Sequence, residues 1–357
     1  MRGLRKPSLA ARDAPPPRCA AMAVGSVPYV DPAEAMRLVL ERTPEIPAWP
    51  QLPRRSYLEN MYVQFTEGLP GIVVDEPGLR AYVQLDAAAE EIGVFLEKLD
   101  AGDPAAFAVS PRYAAGLPLL GRALTSIETP PPFVKGQITG PVSFGLSVPF
   151  EDRRAILYDD TFRDIATKLL SAKARWQADV LSLWAPASVP LIMVDEPSLT
   201  QAGSAFISIP EAIAFPALEE CLGAIDCLTG IHVCGGTDWG RVIALPVDVL
   251  NFDAADHLDS LLSHGDAVAG FLAEGGMLAW GAVPNDERAF TLTAEMVGGR
   301  MVDAAGALAR LGGSEVEAVL AASFVSPACG TGSLPAEVAE RCFALAAETS
   351  SWLRARL

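Results

Sequence analysis

The stretch that decides the fold runs from Val247 to Val283, VDVLNFDAADHLDSLLSHGDAVAGFLAEGGMLAWGAV. Val247–Phe252 and Met277–Val283 read as short buried strands, and Asp256–Glu274 between them repeats apolar residues at helical spacing. A strand, a helix and a second strand in that order imply parallel pairing through a right-handed crossover. The same alternation extends outward in both directions. Further strands are predicted at Phe133–Ile138, Pro190–Val194, Thr229–Val233 and Ala321–Val325, with a strand-like Ala21–Gly25 near the start. Helices are predicted at Pro210–Asp226, Ala294–Arg310 and Pro335–Leu357, the last with Ser333 as its cap. Another begins at Asp31, with Pro32 in its first position and Glu34 three residues after the cap. Six or seven strands are legible, and a closed barrel has eight. The expected fold is therefore α/β, a single (β/α)8 TIM barrel over residues 22–357. No linker divides the chain after residue 30. Residues 1–21 are Arg- and Pro-rich and read as a disordered extension, with Met22 as the working start.

The chain has 357 residues, 44 acidic against 27 basic, and a net charge of -17. Five of the basic groups (Arg2, Arg5, Lys6, Arg12 and Arg18) and one acid, Asp13, lie in the first 21 residues, which leaves -21 on the remainder. So strong an anion repels a phosphate backbone, and nucleic acid is not an expected partner. No run of about 18 charge-free apolar residues exists, so no membrane-spanning helix is expected. Six cysteines at irregular spacing do not form a disulfide scaffold and fit a reducing, cytoplasmic compartment.

Barrel enzymes build their sites on loops at the C-terminal ends of strands. Those ends carry, in order, Ser26, Thr139-Gly140-Pro141, Asp195-Glu196, His232 with Cys234, Asp253, Trp280-Gly281 and Cys329-Gly330. In His232-Val233-Cys234 the two ligand-type residues are two apart, and so point the same way from an extended strand end. Cys329 follows the last strand. One imidazole and two thiolates with an exchangeable position match a zinc site. A His-x-Cys pair also arises by chance, and cysteine is often a core filler. Cys221, Cys227 and Cys342 are read as core, Cys19 as part of the extension, and His257 and His264 as surface or helix-end residues. Asp195-Glu196 reads either as a helix cap with a first-turn acid or as a carboxylate for a substrate ammonium.

Five segments carry a resemblance: Val24-Gly25-Ser26-Val27-Pro28, Lys135-Gly136-Gln137-Ile138-Thr139-Gly140-Pro141, Val194-Asp195-Glu196-Pro197, Ile231-His232-Val233-Cys234 and Pro327-Ala328-Cys329-Gly330. In this order they resemble the catalytic domain of cobalamin-independent methionine synthase, within a superfamily that includes uroporphyrinogen decarboxylase and coenzyme M methyltransferases. The resemblance implies a zinc-dependent methyltransferase acting on the thiol of homocysteine. It implies His232, Cys234, Asp253 and Cys329 as zinc ligands, with His232, Cys234 and Cys329 at the catalytic centre. Ser26 and Asp195 would hold the amino-acid part of the substrate, and Glu59 stands nearest to a further family glutamate. Asp253 stands where the family has Glu, and no histidine lies near Trp280–Asn285 to match a family histidine. Since there is room for one barrel only, the resemblance is to the short "core" type, whose expected donor is a methylcorrinoid, free or carried by a corrinoid protein. The alternatives are another small-thiol acceptor such as coenzyme M, a decarboxylase of the uroporphyrinogen type, and a non-enzymatic subunit of a corrinoid complex.

Overall fold

The computed structural model describes residues 13–201 and 209–357. Its strands are β1 (Ala20–Ala21), β2 (Ile72–Asp75), β3 (Arg80–Val83), β4 (Phe133–Thr139), β5 (Val189–Asp195), β6 (Leu228–Val233), β7 (Val249–Asp253), β8 (Met277–Val283) and β9 (Ser323–Pro327). β2 and β3 form an antiparallel hairpin of their own. The other seven form one parallel sheet in the order β1-β9-β8-β7-β6-β5-β4. The long strands predicted from the sequence are all present, with ends displaced by one or two residues, whereas β1 is only two residues long. Helices lie between the strands and pack on the sheet. The longest, Asp160–Trp184, is started by Asp159, whose carboxylate accepts from the Thr161 and Phe162 amides.

Period-2 alternation sorts the side chains of this sheet into two sets. Ile192, Val194, Ile231, Val233, Leu250, Phe252, Leu278, Trp280 and Val325 pack outward against the helices. Their neighbours Phe133, Leu191, Met193, Leu228, Val249, Met277 and Phe324 form a separate inner core with Ala20 and Met22. Strands buried on both faces are the reason the sequence shows near-continuous apolar runs. The inner rings also show that the sheet curls. Phe133 of β4 and Phe324 of β9 meet edge to face with centroids 5.3 Å apart, although five strand pairings separate them along the sheet. The Lys135 ammonium of β4 likewise reaches the Val24 carbonyl, 2.6 Å away, just beyond β1.

Between those two edges runs the segment 45–51. Phe133 and Lys135 of β4 donate to the carbonyls of Glu45 and Pro47, and Gln51 exchanges bonds with Gly25 and Val27. Parallel bridges join Ala48 to Lys135 and Ser26 to Gln51. Pro47 and Pro50 have no N–H to give, so the segment does not form a continuous ladder. The observed sheet therefore has seven strands rather than the closed eight expected.

Three local expectations change. The extension expected over residues 1–21 ends earlier than that: Arg18 and Cys19 amides donate to Ala321 and Ser323, and Cys19 to Ala21 are buried. The part of the extension at 1–12 lies outside the described residues. The helix expected at Asp256–Glu274 is two, Leu258–Leu262 and Gly265–Ala273. His264 breaks it with a non-helical backbone, and its Nδ1 lies 3.1 Å from the Ser260 carbonyl that the interruption frees. The last helix spans Ala336–Arg354 with Pro335 at its cap, and the Ser333 carbonyl instead accepts from Arg54. Among the described residues no helix is long and apolar enough to cross a membrane.

Lys135 sits in the curled interior with no solvent exposure, bonded to the Val24 carbonyl and, at 3.0 Å, to Gln137 Oε1. Burial pulls its pKa down to about 8, against the attraction of Asp195. The folded state therefore holds fewer protons than the unfolded chain between pH 8 and 10.5, and stability from this group rises with pH across that window. In chemical denaturation, wild type is expected to gain on Lys135→Met by on the order of 3 kcal/mol from pH 8 to 10.5. A pH-independent gap would show that Lys135 titrates normally.

Candidate metal centre

Alternation that fills the inner core with apolar residues low in the sheet places polar ones at the strand ends. Met193 and Asp195 share one face of β5, and Gly230 and His232 share one face of β6. Asp195 and His232 are direct partners in the β5–β6 ladder. Cys234 follows β6 by one residue and keeps the direction of His232. Cys329 arrives from the loop after β9, which Ser26 pins down: the Ser26 carbonyl accepts from the Thr331 amide at 2.8 Å, and its Oγ from the Gly332 amide at 3.3 Å. A Cβ on Gly330 would lie 2.2 Å from Ser26 Oγ, so glycine allows this close approach. Asn285 supports the same loop by donating to the Cys329 and Gly330 carbonyls.

The result is a group of three ligand-type side chains, His232, Cys234 and Cys329, whose donor atoms all lie within 4.8 Å of one another. Around a tetrahedral zinc such donors stand roughly 3.5–3.8 Å apart, so only a small closing movement separates this group from a zinc shell. Its chemistry fits a metal in a second respect. His232 is buried, its Nδ1 lies 2.6 Å from Asn251 Oδ1, and its Nε2 has no hydrogen-bond partner. A buried ring nitrogen without a partner is costly unless something binds it. The Cys329 thiol, against the opposing effect of burial, and the neighbouring imidazole both lower the pKa of the Cys234 thiol, the direction that favours a metal-binding thiolate. Cys329 is pushed up by sharing its proton with Cys234 and by burial. The core thiols behave oppositely: burial raises Cys19, Cys221 and Cys227 to about 12 and Cys342 to about 11, which leaves them inert.

A cavity of about 360 Å³ opens over this group, lined also by Ser26, Asp195, Glu59, Gln51, Met61 and Tyr62. The sequence-predicted residues thus converge, with one exception. Asp253 does not line the cavity and stands outside the three-residue group. Its Oδ1 accepts from the Ala255 and Asp256 amides at 2.9 Å each, so the carboxylate closes its own turn at the end of β7. Glu59 reaches the cavity wall but is committed to its loop, accepting from the Leu52 amide and from Arg55. Asp195 is free in this sense. It is buried, and its Oδ1 has no partner. Burial raises it to about 6, against the attraction of His232 and Lys135. The adjacent Glu196 has a different task, binding the Val142 and Ser143 amides and the Ser143 hydroxyl at the start of the helix Pro141–Ser147.

Sequence reading missed Asn251, Asn285, Gln51 and Tyr62. Asn251 carried a signal, a carboxamide between the apolar Leu250 and Phe252 in a buried strand. The others lie in loops whose path the sequence does not set. The chain matches no protein-family model, and no curated protein matches it.

Proposed function

We propose that this protein is a zinc-dependent methyltransferase that moves a methyl group to the thiol of homocysteine, with a methylcorrinoid as donor. The observation that carries the reading is the convergence of one imidazole and two thiols, from β6 and from the loop after β9, beneath a cavity with a free buried carboxylate. His232, Cys234 and Cys329 would hold the zinc as three protein ligands, without Asp253, leaving one position for substrate. Zinc in such a setting supplies a Lewis acid that lowers the pKa of a thiol, which is otherwise a weak nucleophile at neutral pH. Asp195 pairs with the substrate ammonium, Ser26 binds its carboxylate, and the cavity walls orient the sulfur toward the incoming methyl carbon. The fold is that of a (β/α)8 barrel in which segment 45–51 stands in the place of an eighth strand, interrupted by its two prolines.

Two observations favour this over the alternatives. An acidic, unpartnered Asp195 suits an ammonium-bearing thiol rather than the sulfonate of coenzyme M. Arg54 and Arg55, the adjacent basic pair that a propionate-binding decarboxylase would need, are bonded to Ser333, Leu334 and Glu59. The test is an assay of the purified protein with methylcobalamin and homocysteine, before and after removal of metal by a chelator. Methionine formation that stops on chelation and returns with zinc is the expected result. A metal-free protein that still forms methionine, or a zinc-loaded one that methylates no thiol, would remove the proposal.

A further inference from the structure

Asn251 and His232 are ladder partners on neighbouring strands, and each is almost wholly buried. The orientation of the Asn251 carboxamide is dictated from its far side. Its Nδ2 lies 2.9 Å from the Ala279 carbonyl of β8 and 3.1 Å from Ser326 Oγ of β9. A backbone carbonyl can only accept, so the nitrogen faces Ala279 and the oxygen faces the imidazole. That oxygen, 2.6 Å from His232 Nδ1, can likewise only accept. Nδ1 must therefore carry the hydrogen, and the neutral ring presents a bare lone pair at Nε2. Nε2 is the buried atom with no partner, on a ring that offers a donor atom within 4.8 Å of the sulfurs of Cys234 and Cys329.

We propose that Asn251 is a positioning residue that selects the Nδ1–H tautomer of His232 and so makes Nε2 the metal-ligating atom; the metal half rests on the zinc reading, the tautomer half does not. The device spans four adjacent strands. β6 supplies the ligand, β7 the carboxamide, and β8 and β9 the acceptors that keep the carboxamide from flipping. A metal-bound histidine generally needs an acceptor on its other nitrogen, and losing such a partner weakens metal binding about 10–100-fold. An amide performs this task without adding a further buried anion to Asp195 and Glu196.

The experiment uses the full chain, uniformly labelled with ¹⁵N. The sequence has three histidines, so the imidazole nitrogens of His232 can be resolved by long-range proton–nitrogen correlation, with the pH raised until the nitrogen shifts themselves report a neutral ring. The metal-free wild type is expected to show His232 protonated at Nδ1. Asn251→Asp keeps an acceptor at the same place and is expected to keep that tautomer, with zinc affinity within a few-fold of wild type in a chelator competition. Asn251→Leu removes the acceptor, and is expected to lose the Nδ1–H preference and 10–100-fold in zinc affinity. An Nε2–H tautomer in the wild type would overturn the proposal without any variant. So would an Asn251→Leu protein that keeps both tautomer and affinity, or one that loses affinity while keeping the tautomer. A wild type with the expected tautomer that binds no zinc would instead remove the zinc reading, and with it the metal half alone.

Discussion

Cys329→Ser is expected to leave a folded protein that neither retains zinc nor methylates a thiol. The Cys329 sulfur is one of three donors in the group, and a serine hydroxyl stays protonated at neutral pH and is a poor zinc ligand. The loss of affinity should exceed the roughly 100-fold that follows from removing a mere supporting partner. The fold should survive because the loop is held by groups other than the thiol. Asn285 binds the Cys329 and Gly330 carbonyls, and Ser26 binds the Thr331 and Gly332 amides. Metal analysis, thermal unfolding and the methyl-transfer assay on one preparation check all three parts. Unchanged activity in a zinc-free Cys329→Ser protein would contradict the reading.

The second large effect is expected at Asp195. Asp195 lines the cavity and its buried Oδ1 has no partner inside the protein, so an ammonium bound at this carboxylate would form a desolvated charge pair. Removing one member of such a pair typically costs 2–5 kcal/mol, about 30- to 5,000-fold. Asp195→Ala is expected to lose kcat/KM for homocysteine within that range, chiefly through KM, while zinc content stays at the wild-type level. A small thiol without an ammonium, such as 2-mercaptoethanesulfonate, should lose nothing by the substitution. Equal losses for both thiols would assign Asp195 to the metal or the fold rather than to recognition of the amino group.

The parallel sheet was legible because its strands are buried on both faces. A strand such as Met277–Val283 is then an unbroken apolar run, and a helix of opposite period separates it from the next. The segment 45–51 was not legible as part of that sheet, since Pro47 and Pro50 make it read as a loop although it bridges two sheet edges. His232 and Cys234 were legible from their two-residue spacing. Asp253 shows the limit of that reasoning. Its position at a strand end resembles that of a ligand, but a short carboxylate beside the Ala255 and Asp256 amides closes its own turn. Asn251 shows the converse: its role depends on acceptors 28 and 75 residues away on β8 and β9, a relation no local pattern contains.

Zinc-edge X-ray absorption on the stoichiometrically characterised wild-type protein tests the central claim most directly. One zinc per chain is expected, with two sulfurs at about 2.3 Å and a nitrogen at about 2.0 Å, the remaining position filled by a light atom. Added homocysteine should raise the sulfur count to three. A protein isolated without zinc and unable to take it up, or a zinc shell without sulfur, would contradict it.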